Sequence, residues 1–379
     1  MKNFIYLLSI FFLASCDQDN KREKSISSNY ELEITDSIRV DYLQQLAMVD
    51  MENGKYLAKS EDLSTFVIFD DDGEIINQIE LKTDGPNAIQ RTVGEGFFEG
   101  EFTVMDNQKG LLQFSNESEI IKTQPLPGDY FFTHIYNRPV FSLGKNLAYY
   151  RPERDFSDWE NPELYYKRNY NSPILEVLDP KTNETTLKMK IPETSVYKDG
   201  EFHYILDPKI IKKGKTWYLT LMAEMKFNVY EEKGDELIFK ESINFNPKDH
   251  IKFPSVSIKS PIEIYNKLET IVPAMILQLY GFENKTVLLY RKGVGENIVQ
   301  QYDRNNESEW LDFIGSLPIY AAIFDTNHEL IQEDIALPYG SITTPVFTED
   351  EQIVVQKNQR LSGEEDWNTY YKLKLTEKK

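Results

Sequence analysis

The chain reads as an all-β protein, a six-bladed β-propeller whose last blade is closed by an N-terminal strand. Three observations predict this fold. Aromatic residues make up 13% of the chain, with 23 Tyr and 22 Phe, a bias that favours pleated, half-buried strands. Apolar residues alternate in short runs and do not recur at the three-and-four spacing of amphipathic helices. One hairpin pattern also returns along the chain, the mark of a repeat architecture.

The first copy is 65–69, the turn Asp70-Asp71-Asp72-Gly73, then 75–81. The second is 111–114, a turn over 115–119, then 120–126, and the third is 174–178, the turn 179–183, then 185–191. A fourth runs through 227–230, 231–235 and 237–245, and a fifth through 321–324, 325–328 and 330–337. Further strands precede these copies, such as 55–59, 101–105, 147–150 and 217–222. Four strands thus repeat every ~40 to 60 residues, the spacing of propeller blades. A last hairpin, 352–356 with 367–375, lacks its closing strand, and the unpaired strand 31–41 stands where it can supply one. That pairing joins the two ends of the ring, because a single blade cannot bury both of its faces. Paired β-sandwiches also use strands at short intervals. Recurrence of one hairpin five times favours the propeller.

Ahead of the blades, Lys2, the ten-residue apolar run 4–13 and the small residues Ala14 and Ser15 form a secretory leader. The run is shorter than the roughly 20 residues a membrane span needs. The one cysteine of the chain follows, and Leu13-Ala14-Ser15-Cys16 resembles the bacterial lipobox. That resemblance implies cleavage before Cys16 and lipidation of its thiol, with each buried methylene contributing about 0.8 kcal/mol to anchoring. Residues 1–15 are then a signal peptide, 16–30 a polar tether and 31–379 the propeller domain. With Cys16 acylated, the domain has no disulfide and no thiol nucleophile.

With a lipobox, degenerate blades, and Gly85-Pro86-Asn87 after the first blade's outer strand, the chain resembles the six-bladed TolB-like propeller lipoproteins of Bacteroidota. Asp17 and Asp19 resemble the acidic signal that sends some of that phylum's lipoproteins to the cell surface. The resemblance implies an outer-membrane anchor, with the domain facing the periplasm or the cell exterior, and implies no particular chemistry.

The formal net charge is −20. That excludes nucleic acid as a partner, since phosphates call for Lys and Arg, and disfavours lying on an anionic membrane. The four histidines are scattered, with no spacing that suits zinc. Placing Gly73 at the sixth position of a calcium loop puts Ile68 first and Ile79 twelfth, and both fail as ligands. Asp70-Asp71-Asp72-Gly73 therefore reads as a solvated tight turn. Nucleophile-elbow and phosphate-loop motifs are absent from the sequence, and no cofactor is expected.

Three stretches depart from the blade pattern. Residues 151–171 mix Arg151, Arg154 and Arg168 with Trp159, Tyr165 and Tyr166. Those are hot-spot residue types at protein interfaces; aromatic faces also stack on sugars, and the same residues can simply pack the loop onto its blade. Residues 250–273 hold three prolines and a short helix over 262–271 with Ile264, Leu268 and Ile271 on one face, while 291–310 is mostly polar. The expected role is a non-catalytic binding or scaffold module with a protein or glycan partner at 151–171. The alternative is a calcium-dependent hydrolase or lyase with ligands converging on the central channel, a site that fold alone neither supplies nor excludes.

Overall fold

The structure, a computed structural model, describes residues 29–85, 88–89 and 91–378. The leader, Cys16, most of the tether, and Pro86 and Asn87 lie outside the described residues. Six four-stranded antiparallel sheets surround a central axis, and a seventh pairing joins Glu201–Phe202 to Val256–Ser257. The predicted six-bladed propeller is what forms. In the first five blades the inner strand comes first in sequence, and the innermost strands of the six are Leu46–Glu52, Thr92–Phe98, Phe141–Leu143, Lys209–Lys213, Met275–Gly281 and Ser341–Phe347.

Closure also follows the expectation. Tyr30–Val40 is the outermost strand of the sixth blade and pairs antiparallel with Asn368–Glu377, in register from Tyr30 opposite Glu377 to Val40 opposite Asn368, with a bulge between Ile34 and Asp36. Ile38 and Val40 are fully buried among Tyr56, Phe69, Val354 and Tyr370. Rings stack across the seam, Phe69 lying 5.5 Å from Tyr56 and 5.7 Å from Tyr370. The Tyr370 hydroxyl donates to Leu46 O at 2.7 Å, tying the sixth blade to the first blade's inner strand.

Antiparallel pairing sorts the connections onto two faces. Those joining first to second and third to fourth strands share one face, and nearly all of them are tight turns, among them 53–54, 70–74, 115–119, 234–235 and 325–329. Connections joining second to third strands, or one blade to the next, share the opposite face. All of the helices lie there: Pro162–Asn171, Glu263–Thr270, Glu296–Val299, Glu307–Ser316 and Gln359–Ser362. Asn161 starts the first of these, its side chain accepting from Leu164 N ahead of Pro162. Glu263–Thr270 falls inside the predicted helix, with Ile264 buried and Leu268 packed beside it, while Ile271 has already left the helix in an extended conformation. Residues 291–310, mostly polar in sequence, carry one helix, Glu296–Val299, and the start of a second, Glu307–Ser316, which pack together around Val299, Phe313 and Leu317.

The acidic turn of the first blade shows how the ring is fastened. Asp70 accepts from Asp72 N and Glu74 N at 3.0 Å each, an Asx turn. Asp71 reaches the next blade, taking hydrogen bonds from Tyr56 Oη at 2.6 Å and Lys372 Nζ at 2.9 Å. Partial burial raises the Asp71 pKa, but the donors Lys372 and Tyr56 outweigh it and the net shift is downward. Burial lowers that of Lys372, and Asp71 outweighs it, for a net rise. Asp71 therefore contributes stability above its unfolded pKa of about 3.9, lost as pH falls through the depressed value, while Lys372 contributes below about 10.4 and loses it as pH climbs through the raised one. Because Asp71 is largely exposed, the effect is modest. Thermal melts should show a wild-type advantage over Lys372→Met that is constant between about pH 5 and 9 and shrinks below about pH 4. An advantage that persists unchanged at pH 3 would mean the pair plays no part.

Candidate functional site

Residues 151–171 join the second and third strands of the third blade on the elaborated face, held by two buried carboxylates. Glu153 accepts from Arg168 Nη1 at 2.7 Å, Asn169 Nδ2 at 3.1 Å and Arg151 Nη2 at 3.3 Å. Its backbone pairs with Phe131, each amide donating to the other's carbonyl at 2.9 Å. Glu176, in the third strand of the blade, takes both Arg154 Nε at 2.8 Å and Arg154 Nη2 at 2.5 Å, and also the Tyr149 hydroxyl. Arg168 makes a second fork to Asp158, with both distances 2.8 Å. These bonds hold the Arg168 and Arg154 pKa values above the usual arginine range, Asp158 and Glu176 being the first cause in each case.

Arg151, Arg154, Trp159, Tyr165, Tyr166 and Arg168 are therefore brought together, but they do different things. The three arginines spend their charge on carboxylates of this chain. Tyr166 packs 4.4 Å from Phe202 in the core between the third and fourth blades, and Tyr165 lies half-buried under the Arg168 guanidinium. Trp159 remains open: it is 46% exposed, edge-on to Phe156 and Phe131.

Exposed apolar residues are distributed unevenly. Each large exposed apolar side chain among the described residues belongs either to an outermost strand, as do Ile121 and Phe239, or to a connection on the elaborated face. The second group includes Phe156, Trp159, Ile262, Tyr265, Leu311 and Tyr339. The face of tight turns carries none of them.

The second feature is a cavity of about 590 Å³ on the propeller axis. Inner strands of the first, fourth, fifth and sixth blades line it, and residues 135–138 lie where the second blade would otherwise reach it. That segment runs parallel to the second blade's inner strand, Tyr136 N donating to Val93 O at 2.8 Å and Glu95 N to Asn137 O at 3.1 Å. Gly94 and Gly96 allow the approach, since an added Cβ would stand 2.9 Å from Pro139 Cα and 2.8 Å from Asp50 Oδ2 respectively. Asp50 pins the segment by accepting from Arg138 Nη2 at 2.7 Å, with Phe97 N at 2.8 Å on its other oxygen. Tyr136 stacks on Tyr150 at 3.6 Å, and burial raises both phenol pKa values. At the same rim Asp207 has φ +35° immediately before Pro208, a strained setting for a non-glycine residue. Among the described residues no three His, Cys, Asp or Glu side chains gather in an arrangement that could hold a metal ion.

The sequence reading counted four strands per blade without locating the innermost ones, and the residues lining this cavity went unread. A Gly-x-Gly pair at 94 and 96 inside a strand is the one signal that a second backbone comes close there.

Fold and rim together define a six-bladed β-propeller with one plain face and one elaborated face. Two Bacteroides proteins are among the solved structures similar to it in fold. A member of the DUF4221 family from Bacteroides vulgatus aligns with a TM-score of 0.65 at 14% identity, covering 93% of this chain and 99% of that one. A Bacteroides fragilis protein named for its presumed export aligns at 0.58 with 13% identity, covering 92% and 96%. At such identity the likeness is one of fold. No protein-family model and no curated protein matches the chain.

Proposed function

We propose that this protein is a lipid-anchored, non-catalytic binding module of the cell envelope, and that it meets a protein partner with its elaborated face. The observation that carries the reading is that the exposed aromatic and aliphatic side chains lying off the outermost strands all fall on connections of the elaborated face and none on the turn face. Exposed apolar patches mark interaction sites, and Trp and Tyr are the residues that anchor them. Chain direction agrees with this use. The third strand of the sixth blade ends at Glu377 on the turn face, and Tyr30 starts opposite it, so the tether to Cys16 departs from the plain face. A domain held there directs Trp159 away from its own attachment point. Resemblance in fold to a protein named for export supports placement outside the cytoplasm, and no described helix is long and apolar enough to cross a membrane.

Site-specific photo-crosslinking in producing cells tests the proposal. A crosslinker at Trp159 should capture one discrete protein, and the same group at Asp72 on the turn face should not. Capture of that protein equally from both positions, or from Asp72 alone, would assign recognition to another surface.

A further inference from the structure

Four charged side chains on the cavity wall have no ionic partner among the described residues, and two of them, Lys209 and Asp207, stand two residues apart at the start of the fourth blade's inner strand. Lys209, at the start of the fourth blade's inner strand, donates to the Leu277 carbonyl at 2.9 Å and has no carboxylate within ion-pair distance among the described residues. Lys209 is one of the residues that line the cavity. Asp207, two residues earlier, lines the same cavity and has no hydrogen-bond donor among the described residues. The two are close enough for Asp207 to raise the Lys209 pKa, but burial outweighs it and the net shift is downward. Remaining charges on the wall are engaged: Asp50 holds Arg138, and Lys212 holds Glu232 at 2.9 Å, leaving only Glu52 and Glu349 towards the turn face. Burying unmatched charges is costly, and holding an aspartate in a left-handed conformation ahead of proline adds strain. Strain of that kind collects at ligand sites.

The sign of the ligand follows from its surroundings. A lone anion would approach a chain of net charge −20 and meet Asp207 beside Lys209. A lone cation would leave the Lys209 ammonium unmatched. A molecule carrying both charges enters with no net electrostatic penalty and satisfies both groups. The volume, about 590 Å³, lies within the range of small-molecule pockets, and the stacked pair Tyr136 and Tyr150 adds an apolar wall. We propose that the axial cavity binds a small zwitterion of the amino-acid class, its ammonium on Asp207 and its carboxylate on Lys209.

Trp159 does not line this cavity, so the two proposals stand or fall independently. Thermal melts of the purified full chain, with glycine, glycylglycine and triglycine as probes and acetate and methylamine as single-charge controls, provide the test. At least one zwitterion should raise the melting temperature in a concentration-dependent way, and neither control should do so at the same concentration. Asp207→Asn and Lys209→Met should each weaken the apparent affinity about ten-fold or more, Lys209→Arg should retain most of it, and Trp159→Ala should leave it unchanged. Silence of all three probes at about 10 mM, an equal effect of either control, or binding that survives both neutralising substitutions would overturn the proposal. The control comparison is made on the native chain, so the outcome does not depend on any variant folding.

Discussion

Gly73→Ala should cost about 4 kcal/mol or more of folding stability, whereas Gly54→Ala should cost only about 1 kcal/mol. Both glycines have left-handed backbones, with φ +85° and φ +73°, so both substitutions carry the same conformational penalty for an L side chain. They differ in what a methyl group meets. At Gly54 nothing lies within 4 Å, but at Gly73 the added carbon would stand 2.0 Å from Arg39 O, on the strand that closes the ring. Relief of that overlap requires the first blade's acidic turn to lift off Tyr30–Val40, which also pulls Asp71 away from Lys372. Urea unfolding midpoints of the two variants measure the difference, and equal losses would show that the closing strand does not depend on this contact.

Arg154→Met should cost about 3–5 kcal/mol. Its cause is not a lost surface ion pair. Glu176 is 2% exposed, and with Arg154 gone its carboxylate would keep only the Tyr149 hydroxyl as a donor. An uncompensated buried charge is far more costly than the pair is stabilising. Adding Glu176→Gln to the Arg154→Met chain should therefore recover much of the loss, because a neutral amide still accepts from Tyr149 and no longer calls for a cation. A loss below about 1 kcal/mol for the single change, or no recovery in the double variant, would place Arg154 outside the structural framework. It would also return this arginine to the pool available for a partner.

That second prediction shows where reading residues in order stops. Arg154, Arg168, Trp159 and Tyr166 stand together in sequence as a recognition-like cluster, and they are together in space. Nothing local distinguishes the exposed Trp159 from the arginines neutralised by Glu153 and Glu176, since Glu176 lies 22 residues from Arg154 and its burial depends on neighbouring blades. Asp71 poses the same difficulty in reverse. Its turn was legible as a turn from composition, but its bond to Lys372 spans 301 residues. The outer hairpins of the blades were legible because alternation and turn residues are short-range signals. The inner strands were not, and Phe141–Leu143 and Lys209–Lys213 are short or polar, with one edge open to the axis. Helices over 296–299 and 307–316 escaped because the first is a single turn and the second straddles the end of the polar stretch at 310, which separates its Trp310 from Leu311, Phe313 and Ile314. Both are short enough to need packing around Val299 and Phe313.

By itself the sequence determined the class of fold, the number of blades and the strand that closes them, because hairpin repetition and an unpaired strand are written in local patterns of polarity. A lipid on Cys16 is a proposal that rests on the lipobox-like segment alone. Tertiary structure decided which face of the ring is elaborated, which charged side chains are consumed by the fold, and that Lys209 and Asp207 share a cavity on the axis. Those outcomes depend on ring closure, which brings strands hundreds of residues apart into contact and sets each side chain's burial. Chemistry at a site follows from burial and from the nearest opposite charge, and neither quantity exists until the ring is closed.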